Sequence, residues 1–327
     1  METTTTPKYR RRLPSESVVL LNALRAAYDK SFALAKPLAV DWTAVFQRAE
    51  QNGITPWVSE FIDGDLGREL NPTSDMAERF RASALRRRGD FEVACRLFEE
   101  VAYVLEDARQ AFLPVGAVVF GKRLYPRPYR QLTKFEILVP APDLPRAREA
   151  FLDAGFAPNG ELLQRGEARV ALSAELLFDI GGENVRTRSE FLWERASSRE
   201  GAQFDVPFED HAVMAAARAA RSGAMMEEWL DCLLADRACE DLGALVQSSD
   251  VLDASPSLRW QIAGFVADLR AVVTAASEME VSLELATKPL VERLVPADRA
   301  RQSGHPTPRQ PSAWLRTLRR LVPIQST

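Results

Sequence analysis

Apolar residues recur at helical spacing through the first third of the chain. They follow the 3.6-residue period in SVVLLNALRAAYDKSF, where Ser15 or Ser17 is a suitable N-cap. A second helix is predicted to begin after Asp41 and to end at Gly53, and a long one to run from about residue 75 to 111. The apolar face of that long helix comprises Phe91, Cys95, Phe98, Val101 and Leu105.

The pattern then changes to that of buried strands. Residues 114–121, PVGAVVFG, form a short apolar run and KFEILVP forms a second, so both are predicted to be strands. A helix follows in LPRAREAFLDAGF, with Gly155 at its C-cap. The next segment is predicted to be a hairpin that turns at Gly166, and its second strand is expected to run from Ala168 to Ile180. These elements describe a small mixed sheet with helices packed against it.

Helical periodicity returns from Glu209, in EDHAVMAAARAARSG, MMEEWLDCLLADRAC and SLRWQIAGFVADLRAVVTAA. The fold class is therefore predicted to be α+β, with the sheet between N- and C-terminal helical segments. The expected regions are a basic flexible N-terminus (1–14) and a helical N-terminal region (15–112). A mixed core (113–205), a helical C-terminal region (206–295) and a basic, largely disordered tail (296–327) are expected to follow.

The composition excludes several classes of protein. Three cysteines in 327 residues cannot form a disulfide framework, and neither they nor the two histidines have the spacing of a zinc site. No apolar run is long enough to cross a membrane, and the basic residues near the start precede no apolar signal segment. We therefore expect a globular protein of a reducing, bacterial-type cytoplasm, without a transmembrane segment.

The net charge of −4 conceals an uneven distribution. Residues 1–14 have a charge of +3 and residues 296–327 one of +5, which leaves −12 for the body of the chain. Because affinity for nucleic acid comes mainly from Lys and Arg, the acidic body disfavours a nucleic-acid partner. Near the end, SAWLRTLRRLVPI has the basic amphipathic pattern of segments that bind a membrane or a partner groove. Packing on the body of its own chain, or fraying, is favoured.

The segment GKRLYPRPYRQLTKFEILVPAPDLPRAREAFLDAGF adds information beyond its periodicity. It resembles the signature of an uncharacterised bacterial nucleotidyltransferase family of the DNA-polymerase-beta-like superfamily, in which a strand ends in Lys-Gly, a helix ends in Leu-Tyr-Pro and a carboxylate-bearing strand follows. The flanking helices resemble that family in order over about residues 40–245, with Asp231 where the family has Asp. The matching residues of the segment are Gly121, Leu124, Tyr125, Pro126, Arg130, Leu138, Val139, Pro140, Gly155 and Phe156.

The resemblance implies a nucleotide as ligand and Mg²⁺ as cofactor. In the superfamily, two carboxylates at positions i and i+2 of one strand and a third on a neighbouring strand hold two Mg²⁺ ions, which bridge the phosphates and the attacking hydroxyl. A glycine turn lets the backbone approach the phosphates. The resemblance makes Glu136 and Glu175 the catalytic and metal-binding residues, and Gly121, Lys122 and Arg130 the nucleotide-binding residues.

One of the expected carboxylates is missing. Lys134 stands at the first position, which changes the formal charge of the three side chains from −3 to −1. Unit charges 4 Å apart interact by about 4 kcal/mol at an effective dielectric constant of about 20, so the ammonium is expected to pair with Glu136 and to repel Mg²⁺. Binding of a single metal ion by Glu136 and Glu175 remains an alternative. If no metal binds, Glu175 is predicted to form an ion pair with Lys134. Arg130 contacts either phosphate or an acid of the body, and Lys122 is expected to be a solvated helix residue.

Three functions are compatible with these residues. The favoured one is a pseudoenzyme, a nucleotidyltransferase-like protein with a degraded, Mg²⁺-impaired site that acts by binding a partner in a biosynthetic pathway. The alternative is an active, atypical transferase that moves a nucleoside monophosphate to a small-molecule, sugar or peptide hydroxyl with one metal ion. The third is a peripheral structural protein that its basic tails recruit to a membrane or an acidic partner. If Lys134 alone neutralises the metal site, Lys134→Asp is expected to restore Mg²⁺ affinity.

Overall fold

A five-stranded sheet lies between two helical regions of the chain. The structure, a computed structural model, describes residues 10–29, 32, 34–37, 39–274 and 280–282. The mixture of helices and small sheets agrees with the predicted α+β class. None of the helices in this part of the chain is long and apolar enough to span a membrane. The amphipathic segment around Trp314 lies outside the described residues.

The second predicted helix begins and ends where the sequence indicated, but the predicted cap of the first is wrong, because that helix starts at Ser15 after Pro14 and has no side-chain cap. The Asp41 side chain accepts a hydrogen bond from the Ala44 backbone N–H (3.0 Å), and Gly53 follows the same helix with a φ of +73°. The long helix is also confirmed and has 34 residues. The N-terminal elements are β1 (Arg10–Arg12), α1 (Ser15–Tyr28), α2 (Trp42–Gln51), α3 (Thr55–Asp63), α4 (Asp65–Arg68) and α5 (Ser74–Asp107).

The central sheet contains five strands, which alternate with two helices at its start. These elements are β2 (Leu113–Val115), α6 (Ala117–Arg123), β3 (Phe135–Leu138), α7 (Leu144–Asp153), β4 (Ala157–Asn159), β5 (Leu162–Arg165) and β6 (Ala168–Ser173). The strand order is β2-β3-β6-β5-β4; β3 and β6 are parallel, and the other neighbours are antiparallel. The predicted strand in KFEILVP, the helix after it and the hairpin turn at Gly166 are confirmed.

Two predicted strands are shorter than the sequence indicated. The run 114–121 is a strand only as far as Val115, because Gly116 adopts a φ of +69° and turns the chain into α6. A short apolar run does not distinguish a buried strand from a buried helix, and the prediction was wrong for that reason. The strand predicted from Ala168 to Ile180 is interrupted after Ser173, and its second half joins a different sheet.

The remaining elements form a helical layer and small sheets. They are β7 (Leu177–Ile180), β8 (Glu183–Thr187), α8 (Ser189–Arg195), β9 (Ser197–Glu200), β10 (Gln203–Asp205), α9 (Phe208–Ala220), α10 (Met226–Ala238), α11 (Leu242–Ser248), β11 (Leu252–Asp253), α12 (Pro256–Thr274) and β12 (Glu280–Ser282). One sheet has the order β11-β8-β7, while β9 pairs with β10 and β1 with β12. The three helical stretches predicted after Glu209 are confirmed as α9, α10 and α12.

Two apolar clusters cover the opposite faces of β3. Phe135 and Ile137 pack with the C-terminal half of α5 and with α7. Leu138 belongs instead to the larger cluster, which includes α9 and α10. Because side chains alternate along a strand, Glu136 lies on the same face as Leu138. The sheet therefore presents one carboxylate towards the helical layer that contains α9.

Truncating the buried face of α5 is expected to cost far more stability than truncating its exposed face. Leu105 is fully buried and Leu85 is 72% exposed on the same helix. We expect Leu105→Ala to lower the free energy of unfolding by about 2–5 kcal/mol, because it leaves a cavity, and Leu85→Ala to lower it by less than about 0.5 kcal/mol. Chemical denaturation measures both values, and equal losses would contradict the packing described for α5.

Candidate functional site

Glu136, on β3, lies at the centre of the candidate site. It is in register with Val115 of the antiparallel strand β2 and with Ala171 of the parallel strand β6. The residue is only 8% exposed, and an ionised carboxylate in such a position needs a charged or hydrogen-bonding partner. The identity of that partner determines what the site can do.

Two cations pair with the Glu136 carboxylate. Lys134 Nζ lies 3.0 Å from Oε1, and Arg218 Nη2, from α9, lies 2.7 Å from Oε2. Burial alone would raise the pKa of Glu136, but the charges of Arg218 and Lys134 outweigh it and lower that pKa to about 2. The contact with Lys134 confirms the sequence prediction. Arg218 was missed, although it is the one charged residue in the run AVMAAARAA, and that was the signal that could have found it.

The turn beside this carboxylate contains Gly116 rather than the predicted Gly121. A side chain at Gly116, whose φ is +69°, would collide with Glu136 Oε2, so the close approach requires glycine. Gly121 instead lies within α6, where a Cβ atom would lie 2.6 Å from the Phe91 ring. The prediction of a strand-ending turn at Gly121 is therefore wrong, because the helix after Gly116 was taken for a strand. Close packing of α6 against α5 accounts for Gly121.

The second predicted carboxylate does not reach Glu136. Since β6 ends at Ser173, Glu175 lies in the link to β7 and pairs with Arg186 of β8 (Oε1 to Nη1, 3.1 Å). The predicted ion pair between Glu175 and Lys134 is therefore wrong. The residues of β6 that share the face of Glu136 are Arg169, Ala171 and Ser173. The neighbouring strand thus supplies no carboxylate at this face.

The side chains around Glu136 do not fit Mg²⁺. The ion requires oxygen ligands, and both oxygens of Glu136 already contact a positively charged nitrogen. Throughout the described part of the chain, no group of three or more His, Cys, Asp or Glu side chains could hold a metal ion. A metal at Glu136 would have to displace Lys134 and Arg218 against their attraction to the carboxylate.

Arg130 has two acidic partners on α10. Of the two expected roles, contact with a phosphate or with an acid of the body, the structure shows the second. Its guanidinium contacts Glu227 through Nη1, and Asp231 through Nη2 (2.8 Å) and Nε (3.0 Å). The Tyr125 hydroxyl donates to the other oxygen of Asp231 at 2.9 Å, and the Gln131 backbone N–H donates to Glu227 at 2.7 Å. The Arg130 side chain is 6% exposed. These contacts assign Arg130 to holding the sheet region against α10.

The shared guanidinium leaves this cluster one negative charge in excess when both acids are ionised. Burial raises the pKa of Glu227 to about 7 despite the charge of Arg130, and burial also raises the pKa of Asp231. For Arg130 the balance is the opposite. Burial lowers the pKa of the guanidinium, but the negative charges of Asp231 and Glu227 outweigh burial and raise that pKa. Glu227 therefore exchanges a proton near neutral pH.

Three residues of the family resemblance meet in this cluster, namely Tyr125, Arg130 and Asp231. Sequence reasoning missed Glu227, although its place four residues before Asp231 puts both on one face of a helix. Lys122 does not join the cluster. It lies exposed on α6 with Nζ 5.2 Å from the centroid of the Phe98 ring, as expected for a solvated helix residue. The predicted nucleotide-binding residues thus do not converge on Glu136.

The two buried glutamates are expected to affect stability in opposite pH ranges. Glu227 has its pKa raised from 4.5 to about 7, so its contribution is present below pH 4.5 and is lost as the pH rises through 7. Glu136 has its pKa lowered from 4.5 to about 2, so its contribution is present above 4.5 and is lost as the pH falls towards 2. Each limb corresponds to a free energy on the order of 3 kcal/mol.

Denaturation of the wild type, Glu227→Gln and Glu136→Gln at a series of pH values from acid to neutral measures these limbs. We expect Glu227→Gln to flatten the neutral limb alone and Glu136→Gln to flatten the acid limb alone, so each variant is the control for the other. A neutral limb that persists in Glu227→Gln would show that another group titrates there.

Comparisons with known proteins add no further assignment to the site. No family model matches the chain, and no match was found among curated proteins or solved structures. The candidate site is accordingly defined by its own contacts: a buried carboxylate on β3, paired with Lys134 and Arg218, beside the turn at Gly116.

Proposed function

We propose that this protein has a nucleotidyltransferase-like core whose metal site has been replaced by ion pairs, and that it acts by binding rather than by catalysis. The observation that supports this most directly is the pair of contacts that Lys134 and Arg218 make with Glu136. Each nitrogen contacts one of the two oxygens that a divalent ion would need as ligands. The chain has thus neutralised the acid with its own side chains.

The order of elements around Glu136 supports the first half of the proposal. The strand β2, a glycine turn with positive φ, the helix α6 and the antiparallel strand β3 follow one another, and β6 lies parallel to β3. The resemblance puts a phosphate turn, paired carboxylates and a third carboxylate on elements of this kind. In the structure the glycine beside Glu136 is Gly116 instead of Gly121, and the residue of β6 in register with Glu136 is Ala171, whereas Glu175 lies beyond the end of β6. The glycine is kept, and one carboxylate remains.

The altered site is still suited to an anion. Lys134, Arg218 and Glu136 have a joint charge of +1, and the Lys134 side chain is 44% exposed. A phosphate group that approaches the turn at Gly116 would meet positive charge without a metal. In this proposal a nucleotide ligand is bound without Mg²⁺. The protein partner that this chain binds belongs to a biosynthetic pathway.

Metal binding is the measurement that tests this proposal. We expect Mn²⁺ titrations followed by electron paramagnetic resonance to show no ion bound by the wild type beyond that bound by a non-hydrolysable nucleoside triphosphate alone. Calorimetric titrations with the four nucleoside triphosphates should show no tighter binding with Mg²⁺ than with a chelator. Pyrophosphate release that disappears in Glu136→Gln would overturn the proposal in favour of the one-metal transferase.

Removing both cations is expected to create a metal site where removing one does not. Arg218 remains on Glu136 after Lys134→Asp alone, so the single variant should gain little affinity for Mn²⁺. The double variant Lys134→Asp/Arg218→Met frees one carboxylate and adds another, and its Mn²⁺ dissociation constant should fall at least about tenfold, or 1.4 kcal/mol. Lys122→Asp, the same charge change at an exposed position of α6, is the matched control. Equal values for all variants would show that these cations do not exclude the metal.

A further inference from the structure

A groove lies between the C-terminal half of α5 and the helix α7. Its volume is about 850 Å³, and its lining includes apolar side chains such as Val104 and Ala150. Tyr103, which also lines it, is 66% exposed, although it is one of the largest side chains of α5. Arg165 also lines the groove and pairs with Glu100, Nη2 to Oε2, at 3.2 Å. The groove thus combines exposed apolar side chains with charged ones, and no described segment covers it.

The rim of this groove is acidic. Glu99, Asp107 and Asp153 line it, and none of them has an ion-pair partner among the described residues. Among the described residues, Arg96 is the one cation of the lining without an ion-pair partner. Together with the three acids it gives a joint charge of −2. An occupant of the groove should therefore combine apolar residues with positive charge and lack acids.

One segment of this chain has that combination. Residues 312–324, SAWLRTLRRLVPI, lie outside the described residues and contain three arginines and no acid. Three of their apolar residues have the i, i+4, i+7 spacing of one helical face, namely Trp314, Leu318 and Leu321. The basic residues are Arg316, Arg319 and Arg320.

We propose that residues 312–324 bind in the α5–α7 groove of their own chain. Ser282, which pairs with Arg10 in the sheet of β1 and β12, is 30 residues from Ser312. Such a link spans up to about 100 Å when extended, several times the roughly 20 Å radius of gyration of a compact chain of this length. Tethering gives an effective concentration on the order of millimolar, which favours binding within one chain over binding between two.

Photocrosslinking within the full-length protein tests this placement. With p-benzoylphenylalanine in place of Leu318, we expect crosslinks to peptides that contain residues 99–108 or 150–154, in a species of monomer mass. Because two charges change sign and the local charge rises by four units, Asp107→Lys/Asp153→Lys should lower the yield by about tenfold. Glu78→Lys/Glu240→Lys, the same change at exposed acids elsewhere, should leave it unchanged. Adding Arg319→Glu/Arg320→Glu to the groove variant should restore it.

Other results would overturn the proposal. Crosslinks to other surfaces, a species of dimer mass, crosslinks to lipid when vesicles with phosphatidylserine are present, or an equal yield in the groove variant would each assign the segment elsewhere. Hydrogen exchange provides a second readout, in a variant whose substitutions lie only in residues 312–324. Residues 99–108 should exchange faster in Arg319→Glu/Arg320→Glu than in the wild type, and identical exchange would also contradict binding in the groove.

Discussion

The buried guanidinium of Arg130, shared by two carboxylates of α10, holds the regions of this chain together. Beside it, Tyr125 donates to Asp231 and packs edge-to-face on Trp57 of α3, with ring centroids 5.5 Å apart. The N-terminal helices, the sheet region and the C-terminal helices therefore meet at one cluster. Removing one partner of such a buried ion pair leaves an uncompensated charge, so the partners must stay in contact for the fold to be stable. These contacts hold the helical regions against the sheet, and α9 covers the face of Glu136 through Arg218.

The same helical layer supplies charges of both signs to the sheet region. α9 provides Arg218 for the carboxylate of β3, and α10 provides Glu227 and Asp231 for the arginine before β3. In a metal-dependent enzyme, the carboxylate would be neutralised by an ion that comes and goes with the substrate. Here the neutralising charges are part of the chain, so they are present in every state of the folded protein. This permanence is the physical basis of the proposal that the protein acts by binding.

The sequence predicted the elements well where the signal was local. Asp41, Gly53 and Gly166 mark turns and caps whose geometry depends on a few neighbouring residues, and the structure has them where expected. The misplaced glycine turn came from a run whose apolar pattern fits a strand and a helix equally. The pairing of Glu136 with Lys134 followed from a separation of two residues, but Arg218 is distant in sequence and reaches Glu136 only through the packing of α9. Glu175 was misplaced for a related reason, since the break after Ser173 leaves no mark in the alternation of residues.

One helix, α5, belongs to both apolar clusters. Its N-terminal part packs in the larger cluster through Met76 and Phe80, and its C-terminal half packs under the sheet through Phe98 and Leu105. At 34 residues it is about 50 Å long, and together with β3 it links the two clusters. Gly89 lies between the two contact stretches, exposed, with no other atom near its Cα that a methyl group would touch. Glycine is among the weakest helix formers, so this turn adds less stability to the helix than an alanine would. The clusters also share β3, but the continuity of α5 through this exposed turn adds to the cooperativity of their unfolding, which Gly89→Ala should increase.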